Sequence, residues 1–448
     1  MTPLLYLLGV VLFVFAILAS IGLHELGHMV PAKAFGGKVT QYFIGFGPTV
    51  WSRKRGETEY GLKAIPLGGY VKIVGMLPPD KEHEGKVEYD EQGNRVVTVR
   101  RSNTGLFAQL VSDARAAEWE TISAADEPRL FYRMPWWKKV VVMAGGPTVN
   151  LAIAFVIYSV LFATYGNPAD PVLHTSVGVV EDCVIPATRT TDVCKPGDLV
   201  SPASQAGLKP GDTFVSFNGT PVTSWEEMQR LIRSNDNGQA TIVVDRGGQQ
   251  LTLRTNTLVT PRPTDENDPT KLIRVGFLGV APEVTYPTGG PLYTFQQMGG
   301  LAKQSAVALA TLPVKVWGVG EAIVGVKPRD ANSPVSVVGG GRIAGETASA
   351  QDFPVKEKLV GLLGLVAGFN FFIGLFNFIP LLPLDGGHIA GAIYEALRRG
   401  FAKVRGRPDP GYVDVARLLP VAYVVASFLL VMGVVLIVGD LVVPVSVT

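Results

Sequence analysis

His24, Glu25 and His28 occur in the order His-Glu-Leu-Gly-His. Residues four apart share one face of a helix, so the two imidazoles can grip one metal ion while the carboxylate projects beside it. Zinc sites of this kind use neutral imidazoles and leave a position open for water, whose pKa the metal lowers to about 7. The chemistry implied is metal-assisted hydrolysis. Packed in an ordinary helix, the same residues would be a chance match, and their surroundings argue against that. Met1 to Leu23 is uncharged, and Met29 to Ala32 stay uncharged as far as Lys33. An ionisable group at membrane depth is a functional hypothesis by default.

A catalytic zinc usually takes three protein ligands, so the histidine pair needs a partner elsewhere. Asp385 is the one carboxylate in an otherwise uncharged segment that begins at Leu359 and runs Asn377-Phe378-Ile379-Pro380-Leu381-Leu382-Pro383-Leu384-Asp385-Gly386-Gly387-His388. Pro380 and Pro383 break the helix there, and freed backbone is tolerated at membrane depth only inside protein or around a cavity. On that broken turn Asp385 can reach the metal, and Asn377 offers an amide to a substrate backbone or reacting carbonyl. A helix-terminal carboxylate facing the cytoplasm is the alternative reading of Asp385. His388, beyond the glycines, is a further conceivable ligand.

The elements that must position these groups are membrane helices. Of the 448 residues, 47% are hydrophobic and 17% charged, which marks a membrane protein with sizeable soluble parts. Four stretches are long enough to cross a bilayer: 1–32, 140–169, 359–384 and 418–439. The first has no basic leader region and no clear small-residue cleavage site, and is expected to be retained. Lys and Arg cluster after the first span, before the second, and between the third and fourth. The loops 33–139 and 385–417 are therefore expected to be cytoplasmic, leaving both termini, the tail 440–448 and the segment 170–358 extracytoplasmic. The net charge of +2 gives no basis for a nucleic-acid partner.

The first cytoplasmic loop opens with short apolar runs divided by glycine, expected to form a β-hairpin or small sheet at the membrane edge over 36–75. Its Gly68-Gly69-Tyr70 stretch can pair with an extended substrate peptide by strand addition. A hairpin that merely covers the loop is equally compatible with the sequence. The polar insertion 77–127 carries no assignable chemistry. In the outer segment, Ser201-Pro202-Ala203-Ser204-Gln205-Ala206-Gly207-Leu208-Lys209-Pro210-Gly211-Asp212 precedes a strand at 213–217, a helix at 224–234 and strands at 240–245 and 250–254. This order resembles a PDZ domain, here placed over 170–262, which can bind peptides or act as a steric gate. The region 263–358 reads as a linker with an amphipathic membrane-surface helix broken at Pro313. Cys183 and Cys194 suit a disulfide in an oxidising compartment, with buried thiols as the alternative.

Taken together, the retained first span with His-Glu-x-x-His, the glycine-rich hairpin, Gly146-Pro147-x-x-Asn150, the outer PDZ-like segment and Asn-x-x-Pro leading to Leu-Asp-Gly resemble the bacterial site-2 protease family of intramembrane zinc metalloproteases. The likeness is strongest to its RseP-like group with one PDZ domain, of actinobacterial type. The resemblance implies a polytopic α-helical membrane protein of four transmembrane helices, with a membrane-associated sheet and one extracytoplasmic PDZ domain. It implies one Zn2+ per chain on His24, His28 and Asp385, Glu25 as general base, and Asn377 holding substrate. It further implies a zinc metalloendopeptidase of the plasma membrane, with its active site near the cytoplasmic side. Its substrates would be single-pass membrane proteins such as anti-sigma factors, shortened first by a site-1 protease. A membrane zinc transporter or sensor, and a non-catalytic PDZ scaffold, are the rival classes. Both predict that Glu25 is dispensable.

Overall fold

The structure is a computed structural model that describes residues 3–78, 88–89, 95–96, 111, 122, 124–187, 189, 193–236, 238–265, 268–351 and 353–445. Most of the insertion 77–127 lies outside the described residues. The chain forms two compact units, Met1–Val160 with Pro291–Thr448, and Leu161–Gly290.

The first unit is helical. Its helices are α1 (Pro3–Ala34), α2 (Trp136–Thr164, which runs into the second unit), α5 (Pro291–Ile323), α6 (Val337–Ser349), α7 (Val355–Asn377), α8 (Asp385–Val404) and α9 (Leu419–Val442). Among the described residues, five helices are long and apolar enough to cross a membrane, where four were expected. The additional one is α5, expected to be a surface helix broken at Pro313. It runs unbroken for 33 residues. A proline costs a helix one hydrogen bond and kinks it, and at membrane depth neighbouring side chains can take up the freed groups.

Where hydrocarbon surrounds the helices, association rests on close packing, which small residues allow. A Cβ on Gly9 of α1 would meet the Ala348 Cβ of α6 at 2.7 Å. One on Gly27 would lie 2.9 Å from the Gly146 Cα of α2, so α1 and α2 touch backbone to backbone beside the histidine motif.

Between α1 and α2 lie β1 (Val39–Arg55) and β2 (Thr58–Ile73), followed by the two-residue ladder of β3 (Glu88–Tyr89) with β4 (Arg95–Val96). β1 meets β2 more than once. Residues 51–55 pair with 58–62 as a hairpin, whereas 41–44 pair both with 59–62, the numbers rising together, and with 69–72, running in opposition. The stretch 69–72 is therefore an edge with a single strand neighbour among the described residues. Gly68, with φ of +100°, makes the turn into it.

The second unit is a sheet in the order β12-β5-β6-β8-β9, with β7 (Thr220–Pro221) paired to β6. Its main strands are β5 (Val172–Val180), β6 (Thr213–Phe217), β8 (Gln239–Arg246), β9 (Gln249–Asn256) and β12 (Val280–Thr285). Two helices complete it, α3 (Pro202–Ala206) and α4 (Trp225–Ser234), along with a separate hairpin of β10 (Leu258–Asp265) and β11 (Asp268–Phe277). Ser201 caps α3 and Gly207, at φ of +72°, ends it. Trp225, Met228 and Ile232 of α4 pack on Phe214, Phe217, Ile242 and Val244 of the sheet.

The unit reaches past the expected boundary at 262. β12 pairs with β5 along most of its length, so residues 263–290 belong to the folded unit and not to a linker. Without β12 the outer edge of β5 would be left unpaired. Its short, proline-bearing sequence, Val280-Ala281-Pro282, hides that role. Cys183 and Cys194 are joined in a disulfide with 5.9 Å between their Cα atoms.

Candidate metal centre

His24 and His28 sit one turn apart on α1, and Asp385 is the first residue of α8, placed by the non-helical turn 378–384 that follows Asn377. Three atoms converge. His24 Nε2 lies 3.2 Å from His28 Nε2, and Asp385 Oδ2 lies 3.3 and 3.4 Å from the two nitrogens. The His28 side chain is 5% exposed and that of Asp385 17%. Among the described residues, these three form the one His/Cys/Asp/Glu group spaced to hold a metal ion.

The far nitrogens determine what the near ones present. His28 Nδ1 lies 2.8 Å from the Val142 carbonyl, which can only accept, so Nδ1 carries the proton and Nε2 the lone pair. His24 Nδ1 is 2.7 Å from Asn150 Oδ1, with the same consequence. Asp385 Oδ2 is buried and accepts no hydrogen bond. Three lone-pair atoms thus face one another without a donor among them, an arrangement that repels unless a cation stands between. Ligands in a tetrahedron around zinc, at about 2.0–2.1 Å from the ion, are roughly 3.3–3.4 Å apart. The observed spacings match.

Glycine makes room for this geometry. A Cβ on Gly146 would lie 2.8 Å from His24 Nε2 and closer still to His28 Nε2. Glu25 lines the same cavity of about 400 Å³, together with Gly68, Gly69, Tyr70, Asn377 and His388. A Cβ added at Gly69 would come within 3.1 Å of Glu25 Cγ, so glycine lets the sheet edge pass directly beside that carboxylate.

The other sequence candidates fall as follows. Asn377 ends α7, and its Nδ2 donates to the Ile373 carbonyl at 3.2 Å, leaving Oδ1 as its unused acceptor among these contacts. The Tyr70 ring stacks on Phe43 and Phe46, and its hydroxyl donates to Gln41. His388 borders the cavity and is not among the three converging residues. Cys183 and Cys194 lie in the other unit, far from this centre in sequence.

Two sets of polar residues escaped the sequence reading. Asn370, 0% exposed, bonds Asn150 from α7. Lys139 of α2 and Glu395 of α8 form a buried ion pair at 2.8 Å. For Asn370 the available signal was a lone polar residue in an apolar stretch, which buries at membrane depth only with a partner; Lys139 and Glu395 stand among other charged residues and gave none.

The family model for Peptidase family M50 matches residues 12–418. The zinc metalloprotease Rip1 of Mycobacterium tuberculosis is 33% identical over 432 residues, covering 94% of each chain. Rip1 of Mycolicibacterium smegmatis is 34% identical over 451 residues, covering 98% of each.

Proposed function

This chain belongs to peptidase family M50 and is a membrane zinc metalloprotease of site-2 protease type, and from that premise we propose that it hydrolyses peptide bonds of single-pass membrane proteins within the bilayer. His24 Nε2, His28 Nε2 and Asp385 hold one zinc ion. The observation that carries this is the convergence of their lone-pair atoms at 3.2–3.4 Å with Glu25 in the same cavity. When bound, zinc supplies Lewis acidity toward a carbonyl and lowers the pKa of a water held there to about 7.

Glu25 takes a proton from the attacking water and returns it to the leaving amine. A substrate helix hides its carbonyls in its own hydrogen bonds and has to unwind first. The free edge at 69–72, beside Glu25, receives the unwound segment as an added strand. Asn377 contributes its free Oδ1 to the substrate backbone. The second unit serves as a PDZ domain of the extracytoplasmic side, in keeping with its Ser201–Asp212 string and its sheet. Substrates of anti-sigma-factor type, trimmed beforehand by a site-1 protease, fit a cavity lying near the cytoplasmic ends of its helices.

Purified protein is expected to cleave a transmembrane reporter. Glu25→Gln is expected to abolish cleavage and retain zinc, as measured by atomic emission, whereas Asp385→Ala loses both. Full cleavage by the Glu25→Gln protein would refute Glu25 as the general base, whereas wild-type protein that leaves the reporter uncut would favour a transporter or scaffold.

A further inference from the structure

Behind His24 runs a chain of buried polar groups linking three helices. His24 Nδ1 meets Asn150 Oδ1 of α2 at 2.7 Å. Asn150 Nδ2 donates to Asn370 Oδ1 of α7 at 3.0 Å. Asn370 Nδ2 donates to the Val366 carbonyl at 2.9 Å and to Ser20 Oγ of α1 at 3.0 Å, and Ser20 Oγ donates on to the Ala16 carbonyl at 2.8 Å. Asn150 and Asn370 are 1% and 0% exposed.

The chain has one direction, and main-chain carbonyls set it. The Val366 and Ala16 carbonyls can only accept, so the amide nitrogen of Asn370 has to face Val366 and its oxygen has to face Asn150. Asn150 must then turn its own nitrogen toward Asn370 and its oxygen toward His24. His24 is left with its proton on Nδ1 and its lone pair on Nε2. His28 needs no such relay, because the Val142 carbonyl sets it directly. Were the Asn150 amide to turn over, His24 would carry its proton on Nε2, pointing into the cluster.

We propose that Asn370 is a positioning residue for the metal centre: by holding the Asn150 amide in one orientation it fixes the His24 tautomer and keeps the Nε2 lone pair aimed at His28 and Asp385. This rests on the reading of His24, His28 and Asp385 as metal ligands. Losing a hydrogen-bond partner behind a ligand typically costs about 10–100-fold in metal affinity.

The test uses full-length protein in nanodiscs, loaded with Co2+ and read by its visible absorption and by competition with a chelator. Asn370→Leu, and the smaller Asn370→Ser should the leucine variant not fold, are expected to weaken Co2+ binding at least tenfold and to alter the spectrum. Ionised beside the His24 Nδ1 proton, the Asn150→Asp carboxylate offers only acceptors, so its orientation no longer matters, and Asn150→Asp combined with Asn370→Leu is expected to recover wild-type affinity. Ser20→Ala, which leaves Val366 to set the direction, is expected to stay within about twofold. A folded Asn370 variant with wild-type affinity and spectrum overturns the proposal, and so does a double variant as weak as the single one. Wild-type protein that binds no stoichiometric Co2+ would instead overturn the metal-ligand reading itself.

Discussion

Each of the three converging atoms is constrained by its neighbours on the side away from the cluster. Gly146 shows how tightly. Because a Cβ there would collide with both Nε2 atoms, Gly146→Ala is expected to abolish zinc binding and cleavage while the protein still folds, measured by zinc content and circular dichroism. Whichever way the histidines move, a lone pair leaves the cluster. The convergence of His24, His28 and Asp385, with Glu25 in the same cavity, was legible in the sequence for a simple reason. The i, i+4 spacing is set by helix geometry, and a lone carboxylate in an apolar run needs a partner. Asn370 was not legible, because an amide in an apolar helix has no spacing that says which neighbour it serves. Its role depends on the Val366 carbonyl, and every residue has a carbonyl.

At the scale of elements, the site depends on α8 being held against α2. Lys139 and Glu395 form that tie, and Glu395 also accepts from the Val413 backbone and faces Arg399 at 3.3 Å. With side chains 7% and 2% exposed, the pair is buried, and removing one member leaves a charge without its partner. Glu395→Leu is expected to destabilise the protein by about 3–5 kcal/mol in thermal unfolding, and Lys139→Met with Glu395→Leu to recover most of that loss. Lys139 and Glu395 are 256 residues apart, so no local pattern announces them. The broken third span was legible from Pro380 and Pro383, which end α7 and free Asp385 to start α8. The strand segments over 36–75 were legible from their glycines. That residues 41–44 pair on both sides was not, since the register of 69–72 is fixed by a neighbour and not by its own residues.

At the scale of the whole molecule, the two units answer to different physics. The helical unit relies on lipid and close packing, while the sheet unit carries arginine–aspartate pairs whose strength depends on pH. Arg246 donates to both oxygens of Asp212 at 2.6 and 2.7 Å and holds that carboxyl below the usual carboxylate range. Asp198, gripped by Arg189 and the Lys195 amide, is pulled down to about 2. A lowered folded-state pKa gives stability that is present above the unfolded value, about 3.9, and is lost as pH falls through the folded one. The melting temperature of the sheet unit within the full chain is therefore expected to be flat above about pH 5 and to drop as pH falls below about 4. Arg246→Gln should flatten that drop, as followed by differential scanning calorimetry. One consequence concerns time. His24 and His28 belong to the first helix, but Asp385 stands about 360 residues later, and at roughly 5–20 residues per second a ribosome needs about 20–70 seconds to reach it. On the proposed ligand set, the emerging chain lacks its third ligand throughout that interval, and cleavage would begin only after the helices before Asp385 have been made.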